Sequence, residues 1–169
     1  MHTDSGQDYQ INKRAGFSLI ELMVVVIIIA ITAAIAIPNM SGWFGKKNLD
    51  SISLQMFSDF QRARSEAITR GRTVTIQINK AGGWYEIHDS TNSQIVPQTT
   101  MLKNTTIAKV DGFPLNASNA NTSGINSRGF TTTQRGYVMI NCTSASGVKN
   151  RYIVLNVGGM IQILDSAPW

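Results

Sequence analysis

The chain has 169 residues, 43% of them apolar, with a formal net charge of +5 and one cysteine. One cysteine excludes a disulfide-stapled fold, and His2 and His88 lie too far apart, with no Cys partner at ligand spacing, to suggest a metal site. A surplus of five positive charges is read first as solubility and second as attraction for an anionic partner.

The first element in chain order is an apolar run. From Phe17 to Ile37 only Ser18, Glu21 and Thr32 are polar. As a helix, that run reaches roughly 31 Å, close to the ~30 Å thickness of a bilayer's hydrocarbon core. Lys13 and Arg14 precede it, so the positive-inside rule puts the N-terminus in the cytoplasm and the remainder across the membrane. Three readings compete. Leu22 to Ile31 could be the apolar region of a secretory signal peptide with Ala34-Ile35-Ala36 as its cleavage site, or the run could be a plain signal anchor. Both are worsened by Glu21, because a carboxylate in hydrocarbon costs up to about 3 kcal/mol at the bilayer centre. The third reading gives Glu21 a purpose. A cut between Gly16 and Phe17 would free the α-amine of Phe17, and such an amine on a neighbouring subunit could neutralise Glu21 and set the register of packed helices.

Pro38 lacks an N–H and disfavours helix in the residue before it, and Gly42 and Gly45 follow. Residues 38–45 are read as a kink or softened turn, with a plain helix end as the alternative, and Trp43 and Phe44 as aromatics at the membrane surface. Leu49, Ile52, Met56, Phe60, Ala63 and Ala67 then fall on one helical stripe that ends at Gly71. Leu54, Phe57 and Ile68 form a second ridge, to meet either neighbouring subunits or one deep groove of the head. Arg62 and Glu66 are expected to pair. Arg64, Arg70 and Arg72 make a basic helix end, read as a solvated face before it is read as an anion site.

After Gly71 the period changes. RTVTIQIN alternates, with Val74, Ile76 and Ile78 on one face, and Ala81-Gly82-Gly83 turns it into WYEIH. YVMINC and RYIVLNV are further strands, and Gly158-Gly159 is expected as a two-residue hairpin turn into MIQIL. Residues 111–128 are expected to be a long loop. Glu86 and His88 alternate with Tyr85 and Asp89, so they point to opposite faces and do not form a catalytic group. No nucleophile elbow, phosphate loop or paired catalytic carboxylates are present, so neither an enzyme nor a cofactor is expected.

The stretch AGFSLIELMVVVIIIAITAAIAIP, with its basic leader, closely resembles the leader and N-terminal helix of type IV pilins and type II secretion pseudopilins. ARSEAITRG, residues 63–71, resembles the helix end of H-type minor pseudopilins and of minor pilins of the FimU and FimT kind. The resemblance implies an α+β, pilin-like lollipop, a long helix on an antiparallel β head. Residues 1–16 would be a cleaved leader, 17–37 the transmembrane and assembly helix, 38–71 the kink and amphipathic half, and 72–169 a periplasmic head. It implies cleavage after Gly16 and N-methylation of Phe17 by prepilin peptidase, Glu21 as the assembly acid, and residence in the inner membrane until the subunit joins others in a pseudopilus or pilus. The rival implied by the same resemblance is a DNA-binding minor pilin for transformation. In that kind a Gly-Arg-x-Arg hairpin contacts DNA. Gly159, Met160, Ile161 and Gln162 stand at those positions, without the arginines that phosphate contact needs. Arg128, Arg135, Lys149 and Arg151 are left as candidates. A single-pass anchored enzyme is the third class.

Overall fold

The structure is a computed structural model that describes residues 16–143 and 147–169, with residues 36–41 described by their backbone alone. The basic leader, Lys13 and Arg14 included, lies outside the described residues. The chain divides at Pro38/Asn39 into two units.

One helix, α1, runs Leu19–Arg70. The backbone stays helical through Pro38, Gly42 and Gly45, which corrects the expected turn and excludes a helix end there. The helix stops at Gly71 for a physical reason. Gly71 adopts φ 63°, its N–H donates to the Ile68 carbonyl, and Arg72 N–H donates to the Ala67 carbonyl. These are the paired bonds of a Schellman end, which needs a residue without a Cβ penalty at the left-handed position.

Within the second unit, Leu49, Ile52, Met56, Phe60, Ala63 and Ala67 are all buried, as their spacing predicted. They pack into a single core with residues from all eight strands found among the described residues. The strands form two antiparallel sheets. The first has the order β3-β2-β1-β5, from β1 (Val74–Asn79), β2 (Trp84–Asp89), β3 (Gln94–Thr100) and β5 (Asn121–Ile125). The second has the order β4-β6-β7-β8, from β4 (Thr105–Asp111), β6 (Gly136–Cys142), β7 (Arg151–Leu155) and β8 (Ile161–Leu164). Val74, Ile76 and Ile78 face the core, and Phe60 meets Tyr85 edge to face at 6.3 Å. Burying the Phe60 side chain alone is worth about 2–3 kcal/mol.

Three further expectations, on the loop, the helix ion pair and the second ridge, are corrected. Residues 111–128 are not all loop, because polar Asn121–Ile125 forms β5 and pairs with β1 from Val74↔Ile125 to Ile78↔Asn121. Glu66 pairs with Arg70 at 2.6 Å rather than with Arg62; an acid four residues before a base also suits the helix dipole better. The second ridge divides: Phe57 packs against the core, whereas Leu54 and Ile68 are 61% and 50% exposed, so no deep groove takes all three.

One turn design recurs at four places: Asp89–Ser93, Asn116–Ala120, Asn126–Phe130 and Asn156–Met160. In each, the first residue's N–H donates to the fifth residue's carbonyl and the fourth residue's N–H donates to the first residue's carbonyl. The fourth residue, Asn92, Asn119, Gly129 or Gly159, has positive φ. In the first three, the Asp or Asn side-chain oxygen also accepts from the third and fifth N–H groups. Asn and Gly suit the fourth position because they tolerate the left-handed region. The Gly158-Gly159 hairpin is therefore a three-residue loop closed by a left-handed Gly159, not a two-residue turn, and Gly158 has no positive φ.

Candidate functional site: the assembly junction and helix

Gly16 has nothing within 4 Å of where a Cβ would stand, and Phe17 is 85% exposed. The helix begins two residues later. Leu22 N–H donates to the Ser18 carbonyl at 3.2 Å, so Ser18 is the first partner of the ladder and Glu21 lies in the first turn. Ser18 and Glu21 thus have capping-box spacing, a signal the sequence reading passed over. A carboxylate in the first turn also meets the positive end of the helix dipole. That environment suits the carboxylate of Glu21.

From Leu19 to Thr32 every residue of the helix is exposed, on all faces. A helix apolar all round has no place on a soluble surface; it needs lipid or other helices. Its interior hydroxyl is already satisfied, because Thr32 Oγ1 donates to the Ile28 and Ile29 carbonyls, both at 2.9 Å. Among the described residues no helix is long and apolar enough to cross a membrane. The apolar stretch with described side chains, Leu19–Ile35, reaches about 26 Å as helix, a little short of the ~30 Å hydrocarbon core. Further along, Trp43 and Phe44 are exposed and meet edge to face at 5.1 Å, with Lys47 Nζ 5.7 Å from the Trp43 ring centroid.

The four basic candidates of the head do not form one patch. Arg151 is 19% exposed and held at 2.8 Å from Asp50 and 2.7 Å from Asp165, so its charge is answered inside the chain. Arg135 lies over the Trp169 ring at 4.0 Å. Arg128 belongs to the Asn126–Phe130 turn, whose Gly129 abuts Arg64 and Ile68 on the helix. Arg64 and Asp50 are about 21 Å apart along that helix, which separates Arg128 from Arg151 by a similar span. Lys149 stands in the loop before β7. Arg70 likewise is taken by Glu66 and Asp89.

The remaining charged groups tie the head together. Asp89 is buried and held near pKa 2, chiefly by the Thr91 hydroxyl and then by backbone N–H groups of Ser93 and Thr91, with Arg70 adding to them. The Tyr85 hydroxyl donates to Asp59 at 2.6 Å, and burial together with that carboxylate raises its pKa. Lys109, bonded to Asp111 and near Tyr137, is shifted upward. Glu86 and His88 lie on the outer face of the first sheet, beside Gln77, Asn92 and Gln94, away from Tyr85 and Asp89. Among the described residues no group of three or more His, Cys, Asp or Glu could hold a metal ion.

A helix apolar on every face, opened by Gly-Phe with Glu in its first turn, whose later residues Leu49 to Ala67 are buried in the core of a β head, defines a subunit of the pilin and pseudopilin class. Residues 54–159 match the family of the type II transport protein GspH, and residues 11–37 match the prokaryotic N-terminal methylation motif. The chain belongs to the GspH family. A search of curated protein sequences found no match. Among solved structures the fold is similar to the minor pseudopilin EpsH from the type 2 secretion system of Vibrio cholerae: TM-score 0.56, 12% identity, covering 69% of this chain and 96% of that one. It is also similar to the type IV minor pilin FimU of Pseudomonas aeruginosa, with TM-score 0.51 and 21% identity over 70% of this chain and 89% of that one.

Proposed function

We propose that this subunit is cut after Gly16, methylated on Phe17 by a prepilin peptidase, and drawn from the inner membrane into a pseudopilus or pilus through its helix. The N-terminus starts in the cytoplasm and the head lies outside the membrane. Residues 17–37 are the part that leaves lipid for a bundle of like helices. Pro38, which cannot donate a helix hydrogen bond, is the point at which that rod gives when the bundle forms. Glu21 pairs with a neighbour's Phe17 amine during docking, and its cost in hydrocarbon enforces register between subunits. The role is mechanical, with no reaction catalysed and no cofactor held.

One observation carries this reading: an open Gly16-Phe17 junction followed by a helix exposed on every face, with a lone acid in its first turn. Intact-mass and N-terminal analysis of the membrane-extracted protein tests it. An N-terminal methyl-Phe17 is expected. An N-terminus at Ile37 points to a conventional signal peptide and overturns the reading.

A further inference from the structure

Two of the four recurrent turns, Asn126–Phe130 and Asn156–Met160, lie against each other. A Cβ on Gly159 would overlap the carbonyl oxygen of Gly129, and Thr131 N–H donates to the Val157 carbonyl at 3.1 Å. Both turns also meet α1. A Cβ on Gly129 would stand 2.9 Å from Cδ1 of Ile68, and a Cβ on either glycine would stand 3.1 Å from Nε of Arg64. The fifth residues of the two turns, Phe130 and Met160, are 49% and 50% exposed, Val157 is 55% exposed and Ile68 is 50% exposed. Half-exposed apolar side chains thus stand on both turns and on the adjacent turn of α1, the kind of grouping that an interaction surface uses when a polar anchor lies beside it.

The polar member of this patch is incomplete. Arg64 Nε is buried without a hydrogen-bond partner, and the guanidinium's contact with the turns is a long 3.4 Å bond from Nη2 to the Gly158 carbonyl. Nε is enclosed by the two turns, so the groups open to a partner are the Nη pair at the outer end of the fork, and one distant carbonyl leaves most of their four donors unanswered. Neither turn contains a carboxylate, and one of them carries Arg128.

We propose that this patch is a docking surface for the head of another pilin-type subunit. That partner would place an Asp or Glu on Arg64 while an aliphatic or aromatic side chain settles among Ile68, Phe130, Val157 and Met160. The carboxylate is specified because a planar fork recognises it bidentately, and the apolar companion because it removes the pair from water. The surface rests on the assembly reading above, but it is a head-to-head contact distinct from helix packing.

The test places the photo-crosslinker p-benzoyl-phenylalanine at Met160 of the full chain, in cells that assemble the filament. A parallel strain carries it at Ile28 in the assembly helix. The expected Met160 adduct maps to the head of another pilin-type subunit, within a few residues of an Asp or Glu. Its yield should fall at least tenfold in Arg64→Met, whose aliphatic stem still covers Gly129 and Gly159, and survive in part in Arg64→Lys. Val157→Asp, at an exposed tip, should lower the yield similarly without any demand on the fold. An adduct with nucleic acid, lipid or a protein of another class overturns the proposal. So does a yield indifferent to both Arg64→Met and Val157→Asp. If Ile28 captures subunits and Met160 captures none, the head contact fails while the assembly reading stands. If both capture none, both fall.

Discussion

The abutment of the two turns can be probed with a pair of single-residue changes, Gly159→Ala and Gly158→Ala. The sequence presents these glycines as equivalent centres of one hairpin, but their surroundings differ sharply. Gly158 has open space where a Cβ would go and no positive φ, so alanine there should be neutral or stabilise by up to about 1 kcal/mol through the unfolded chain. Gly159 has φ 73° and faces the Gly129 carbonyl. Alanine in the left-handed region costs about 1–2 kcal/mol. Relief of the overlap requires the turns to part, which breaks the Thr131–Val157 bonds at about 1 kcal/mol each. The total is about 3 kcal/mol, a fall of roughly 10 °C in melting temperature for a head of this size. Thermal melting of the full chain in detergent, followed by near-ultraviolet circular dichroism, reads both variants. Equal shifts for Gly158→Ala and Gly159→Ala would refute the turn geometry and the contact between the turns.

Arg151→Ala leaves Asp50 and Asp165 unanswered and should destabilise the head by about 1–2 kcal/mol, measured by urea denaturation. Asp89 has its pKa lowered in the folded head, so its contribution is present above the ordinary aspartate pKa and is lost as pH falls toward 2. Melting temperature should therefore decline below about pH 4, and Asp89→Asn should flatten that decline. Arg62→Ala should leave stability within about 0.5 kcal/mol of the parent, because Glu66 is already engaged by Arg70.

Much of the fold could be read from periodicity. The helical stripe from Leu49 to Ala67 and the alternation through Val74, Ile76 and Ile78 are signals of burial, and those residues are buried. Gly71 announced a helix end because only glycine pays nothing at the left-handed position there. What escaped has physical causes. Asn121–Ile125 carries no apolar alternation; its place in the sheet comes from the β1 edge it completes, which is tertiary information. Gln94–Thr100 contains Pro97, tolerated because β3 is an edge strand. Pro38 suggested a break, yet the backbone remains helical across it, since proline removes one donor without forbidding the turns on either side. The N-terminal methylation motif over residues 11–37 was legible because its elements are contiguous. The patch around Arg64 was not, because it joins residues 64, 68, 130, 157 and 160, which only the fold brings together.

The charge of Glu21 is the element on which assembly by this mechanism depends. The direct measurement is the share of this subunit recovered in the sheared filament fraction, against the share left in the membrane, for the parent, Glu21→Asp and Glu21→Val. Cleavage and methylation at Phe17 are checked in each. Glu21→Val should be processed normally yet fall at least tenfold in the filament fraction, with Glu21→Asp between it and the parent. Recovery of Glu21→Val at the parent level would show that no amine answers that carboxylate, and would contradict the mechanism.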